Sequence, residues 1–198
     1  MADVKTELHL ELRQKRAELL SRLDGLSEYD LRRPLTPTGT NLLGLAKHLA
    51  GGEYVYLGTS VGRPPPETLA WEEDGSVWEG ADMWATPDQS SEYILGLYRR
   101  ACEHGDRTLQ ELELDAPARV PHWPAERADT TLGVLLIRML AETAHHAGHA
   151  DIVRELIDGR AGPDHDEIGD AESWRVFLAH VQEAADAFAP GADVRGSP

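Results

Sequence analysis

The chain has 198 residues, one of them cysteine, and sets 35 acidic against 19 Lys and Arg side chains for a formal net charge of −16. With 41% hydrophobic and 27% charged residues, it has the composition of one soluble globular domain with a sizeable core, which excludes fibrous and wholly disordered readings. So acidic a chain repels phosphate polyanions, no run reaches the ~18–20 apolar residues of a membrane span, and the lone Cys102 suits a reducing compartment; the expected setting is therefore cytoplasmic, with neither nucleic acid nor membrane as partner.

Val4, Leu8, Leu12, Leu19 and Leu23 recur at helical spacing and predict a first amphipathic helix, ended by Gly25. Thr40 offers an N-cap for a second helix through Leu42, Leu45, Leu49 and Tyr56, closed by Gly58 and Gly62. Residues 61–86, with Pro64, Pro65, Pro66, Trp71, Trp78 and Trp84, form a loop too long for a passive connector. Thr86, Pro87 and Gln89 predict the start of a third helix, whose stripe is Ile94, Leu97, Tyr98, Ala101, Leu109 and Leu112. After a second proline-bearing loop, Thr130 and Thr131 cap a fourth helix that runs to about Asp158 and stops at Gly159. Trp174, Phe177, Leu178, Val181 and Phe188 mark a shorter fifth helix, expected to pack outside the bundle through Trp174, Phe177 and Val181. No stretch alternates with period two, so the expected fold is all-α: a four-helix bundle with an additional C-terminal helix, one domain over 1–188, and a disordered tail over 189–198.

The fourth helix holds an anomaly. Three of the chain's nine histidines fall in ETAHHAGHADIV. With residues placed at about 100° intervals, the stripe of Leu135, Met139, Val153 and Ile157 centres near Glu142, His146 and His149. A carboxylate and imidazoles on a core stripe must be paired or ligated. Glu142 and His146 are four apart and project from one face, as two metal ligands on a helix do. A third ligand has to come from a neighbouring helix, and His48 is the best candidate, flanked by Gly44 and Gly52. The set His48, Glu142 and His146 would leave positions open on zinc, nickel or iron. The alternatives are a metal-free carboxylate–imidazole pair for Glu142 and His146 and a part-buried helix-margin residue for His48. His145 reads as an edge residue and His149 as an outer hydrogen-bond partner. His9, His104, His122, His165 and His180 read as structural or exposed, the acidic run at 163–170 as a solvated turn, and Cys102 as a packed hydrophobe. Trp71, Trp78 and Trp84 either line a ligand pocket or plug the loop onto the bundle.

The histidine in LAKHLAGGEY, the block ETAHHAGHADIVRELIDGR and the helix order together resemble the DinB-like superfamily of four-helix metalloproteins. Within it, the chain is similar to the branch of mycothiol-dependent maleylpyruvate isomerase-like proteins, over the span from the first helix to about residue 188. The resemblance implies a divalent metal, zinc first and nickel or iron otherwise, on His48, Glu142 and His146. Many relatives carry histidine where this chain has Glu142, and the isomerase branch carries glutamate. It also implies transfer or isomerisation with a low-molecular-weight thiol such as mycothiol or bacillithiol as co-substrate, so the expected partners are that thiol and an electrophile. On this reading a metal-coordinated thiol is deprotonated, and His149 is the catalytic candidate that orients a ligand or shuttles a proton. The tryptophan-bearing loop then covers the electrophile. A metal-dependent hydrolase and a non-catalytic metal- or ligand-binding bundle are the alternatives. A homodimer, common among relatives, would suit an exposed amphipathic face.

Overall fold

The computed structural model describes residues 3–160, 162 and 165–190. They form two compact units that divide after Gly159. In the first unit the long helices are α1 (Val4–Leu23), α3 (Leu42–Tyr56), α5 (Ser91–Glu111) and α7 (Leu132–Asp158), with the short helices α2 (Glu28–Arg32), α4 (Ala70–Glu73) and α6 (Ala125–Ala128) in the connections.

Two helix starts differ from the sequence expectation. Asn41, not Thr40, caps α3, its Oδ1 accepting the Gly44 N–H at 2.8 Å. Ser90 caps α5 by accepting the Tyr93 N–H at 3.1 Å. The Thr86–Gln89 segment closes a turn instead, the Gln89 N–H donating to the Thr86 carbonyl at 3.0 Å, while Gln89 Oε1 accepts the Thr86 N–H at 3.1 Å, as in a capping box, and the Lys47 ammonium at 3.0 Å. Thr131 and Gly159 bound α7 as expected, Gly159 taking the left-handed conformation (φ 74°) that stops a helix. An antiparallel pair, β1 (Pro117–Arg119) and β2 (Asp129–Thr131), joins Pro117 to Thr131 and Arg119 to Asp129. Three residues per strand are too few to show a period of two in the sequence.

Contacts between helix ends fix the order of the bundle. The start of α1 lies beside the end of α5, where His9 Nε2 is 2.8 Å from Asp106 Oδ1. The end of α1 lies on the end of α7, where Arg22 pairs with Asp151 and Arg154 donates to the carbonyls of Arg22 and Asp24, each at 2.9 Å. On α3, His48 meets Glu142 and Gly52 sits by Met139, so α3 runs against α7. Lys47 reaches Gln89 ahead of α5, and Glu53 faces Gly105 within it, so α3 and α5 run parallel. The order is up, down, down, up. A connection between two parallel helices has to travel back along the bundle, and the 15 residues of α3 span about 22 Å. This return path is why the second connection is the longest, and it carries the loop across the bundle face.

The core joins Leu12 and Leu19 of α1, Leu45 and Leu49 of α3, Ile94 and Leu97 of α5, and Leu132, Leu136 and Met139 of α7, all fully buried. An ion cluster interrupts it. Arg16 occupies the helical turn between Leu12 and Leu19 and donates to both oxygens of the fully buried Glu53 at 2.7 Å, and to Asp106 Oδ1 at 2.5 Å. Burial pushes the Glu53 carboxyl above its ordinary range against the pull of Arg16. Gly105 gives this cluster its room, since a Cβ there would stand 2.9 Å from Glu53 Oε2.

The second unit holds α8 (His165–Ile168) and α9 (Ala171–Asp186), the latter capped by Asp170. The Trp174 indole N–H donates to the His165 carbonyl at 3.1 Å, and its ring stacks on the His165 ring with centroids 4.9 Å apart. The expected acidic turn at 163–170 is thus helical over 165–168, with 163 and 164 outside the described residues. Residues 191–198 of the expected tail also lie outside them.

Candidate metal centre

His48 comes from the first half of α3, and Glu142 and His146 come from successive turns of α7. Glu142 Oε1 is 3.4 Å from His48 Nε2 and 3.2 Å from His146 Nε2. All three donor atoms lie within 4.8 Å of one another. Ligand atoms ~2.0–2.2 Å from a tetrahedral ion sit ~3.3–3.6 Å apart, so the donor set fits a divalent cation with little rearrangement.

The three side chains are half-buried, at 30% exposure for His48, 28% for Glu142 and 12% for His146. They border the core stripe of α7 and are not its centre, which runs through Met139, Thr143, Ala147 and Ala150. Small residues carry little weight on an apolar wheel yet occupy the closest helix contacts, and this shifts the true axis away from Glu142. His149 is correspondingly exposed, not in the core stripe. Its Nδ1 is 3.2 Å from His146 Nδ1, on the side of the ring away from Glu142. His145 is exposed as well, its ring 4.5 Å from that of His149.

Asp82, from the crossover loop, is a functional candidate that the sequence reading did not single out. Its Oδ2 lies 2.6 Å from His48 Nδ1. An Nδ1–H donating to that carboxylate turns Nε2 toward Glu142 and His146, as an outer carboxylate orients a histidine beside a metal site. A loop aspartate has no periodicity to betray it; the one signal was the unexplained length of the loop.

The electrostatics sort the three groups. Burial disfavours protonated His48, but Asp82 and Glu142 outweigh it and its pKa is raised. Burial would raise Glu142, yet the hydrogen bond from His48 and the charges of His146 and Arg138 hold it below its ordinary range. Burial, reinforced by neighbouring His48 and His149, lowers His146 to about 4. At neutral pH the site therefore offers an anionic carboxylate and a neutral imidazole lone pair, the states in which these residues ligate metals.

A cavity of about 440 Å³ opens beside His48 and Glu142. α3 supplies one wall through Gly52, Val55 and Tyr56, the crossover loop another through Val77, Trp78, Asp82 and Met83, and Arg138 and His122 complete the rim. The three loop tryptophans divide: Trp71 is buried in the core at 4% exposure, Trp78 stands at the cavity with 74%, and Trp84 is exposed at 51%. His122, read from sequence as structural or exposed, faces Trp78 with ring centroids 5.8 Å apart. Burial and the charge of Arg138 lower its pKa. Cys102 packs against the core, where burial pushes its thiol well above the usual range and makes it a poor nucleophile.

No helix among the described residues is long and apolar enough to cross a membrane. No curated protein matches the chain. The family model described as Mycothiol-S-transferase matches residues 7–159, which run from the first turn of α1 to the glycine that stops α7 and include every residue of the candidate centre. The chain belongs to the mycothiol-S-transferase family, within the DinB-like superfamily.

Proposed function

We propose that this protein joins mycothiol, through its sulfur, to a small electrophile at a divalent metal held by His48, Glu142 and His146. The observation that carries this reading is the convergence of two imidazoles and one carboxylate beside an open cavity, within the segment the family match covers. A divalent cation there, zinc first and nickel or iron otherwise, would supply the charge that keeps an incoming thiol as thiolate at neutral pH. The protein itself offers no thiolate, since Cys102 is held protonated.

The residues then divide the work. Asp82 orients His48, and Glu142 cancels part of the cation's charge. His149 does not line the cavity, so its role is to hold the His146 ring from outside by accepting its Nδ1–H. The electrophile enters past Trp78, His122 and Tyr56, whose ring faces suit a flat or apolar group, with Arg138 beside them. In the transfer the thiolate sulfur forms a bond to the electrophilic carbon. The bond from that carbon to its leaving group breaks, and the leaving group departs with the electron pair. The thiol proton passes to solvent. A cytoplasmic setting and a homodimer belong to the same reading, and light scattering that gives a monomer at every working concentration would remove the dimer.

Metal analysis of the purified protein followed by calorimetry with mycothiol tests the proposal. The expected result is close to one divalent ion per chain in wild type and little in His146→Ala, with mycothiol binding the metal-loaded form alone. Metal without thiol binding would favour a metal-binding bundle, and turnover without thiol a hydrolase.

A further inference from the structure

Asn41, Gly44 and His48 follow one another at intervals of three and four along one strip of α3, and Lys47, three beyond Gly44, lies at its margin. The 81–84 segment of the crossover loop lies on that strip. Asn41 Nδ2 donates to the Met83 carbonyl at 3.1 Å. A Cβ on Gly44 would stand 1.9 Å from the same oxygen, so the backbone approaches there only because the residue is glycine. Lys47 Nζ donates to the carbonyls of Ala81 at 2.6 Å and Trp84 at 2.9 Å. Those two carbonyls flank Asp82 on either side.

Lys47 is 2% exposed and makes no ion pair among the described residues. Burying an ammonium is costly without compensation; here two carbonyls, Gln89 Oε1 and the face of Trp71, 4.2 Å from Nζ, take the place of water. Such an arrangement is expensive if it does no more than fill a core, where methionine would pack as well. We infer that Lys47 is a positioning residue: it clasps the 81–84 segment onto α3, with Gly44 as the seat, and so holds the Asp82 carboxylate at His48 Nδ1. Lys47 touches neither the donor atoms nor the cavity, and it acts through Asp82. The inference rests on the reading of His48 as a metal ligand.

The test uses the full chain and zinc, with affinity measured by competition against a chromophoric chelator. Lys47→Met keeps an unbranched apolar stem and removes the ammonium with its three donated bonds. Gly44→Ala puts a methyl against the Met83 carbonyl while favouring the helix itself. Each should lower zinc affinity about 10–100-fold, as should Asp82→Asn. The double variant Lys47→Met with Asp82→Asn should bind within about twofold of Asp82→Asn alone, because the two act in series. Unchanged affinity in Lys47→Met, or a double variant weakened by the product of the single effects, would overturn the inference.

A second readout needs no metal. In the metal-free protein the His48 Nδ1–H proton should be visible by NMR and sheltered from exchange in wild type, lost in Lys47→Met, and faster to exchange in Asp82→Asn, whose amide oxygen accepts more weakly. Its survival in Lys47→Met would contradict the clasp. If wild type binds no zinc, the metal reading fails while this proton still judges the clasp. Helical content should stay at the wild-type level in both Lys47→Met and Gly44→Ala; its loss in both would make these residues parts of the fold and end the inference.

Discussion

At the scale of single residues, the candidate centre sets side by side two histidines whose proton affinities are moved in opposite directions. The His146 pKa of about 4 lies below the ordinary histidine value of ~6.5, so between these pH values the unfolded chain binds more protons than the folded one. His146 therefore makes the metal-free protein gain stability as pH rises across that window. His48, with its pKa raised, contributes stability below the ordinary value that is lost as pH rises through its folded value. Denaturant melts of the metal-free protein should show a flatter pH profile between about 4 and 6.5 in His146→Ala than in wild type; an unchanged profile would refute the assignment. Because His149 helps depress His146, His149→Ala should move the His146 NMR titration upward. Glu142→Ala should cost more zinc affinity than the roughly 10–100-fold typical of outer partners, whereas Glu142→His, the residue of many relatives, should keep a ligand at the position and lose far less. Equal losses in the two variants would remove Glu142 from the ligand set.

At the scale of elements, legibility follows periodicity. The four-residue interval from Glu142 to His146 and the place of His48 on the second long helix, α3, were readable because helical spacing turns sequence distance into a shared face. The stop at Gly159 was readable because a left-handed backbone favours glycine. Asp82 was not readable, since its place depends on a loop folding back between two parallel helices. Arg16 and Glu53 stayed hidden for a related reason: each sits at a core position of its helix, and only their meeting across the bundle explains a buried charge there. Thr86 keeps its expected bond to Gln89 yet closes only a turn, and Ser90 caps the helix that follows. The ion cluster allows a firm expectation. Arg16→Met would leave Glu53 buried without its partner, and chemical denaturation should show a loss of about 3–5 kcal/mol. Zinc stoichiometry should stay unchanged, since the cluster does not touch the centre. A loss below about 1 kcal/mol would mean that Glu53 finds another partner or is hydrated.

At the scale of the whole molecule, the family match over residues 7–159 and the first compact unit end at the same glycine. Every residue assigned to the centre, its outer partners and its cavity lies within that unit. A chain cut after Gly159 should therefore unfold cooperatively and bind as much zinc as the full chain; loss of either would show that the second unit supports the first. The proposed reaction joins mycothiol through its sulfur to an electrophile at a metal held by His48, Glu142 and His146. The most direct measurement is mycothiol consumption against a panel of electrophiles by metal-loaded wild type, a chelated sample and His146→Ala. Turnover is expected in the first alone, the other two falling to the rate of the uncatalysed reaction; equal rates in all three would refute a metal-dependent transfer.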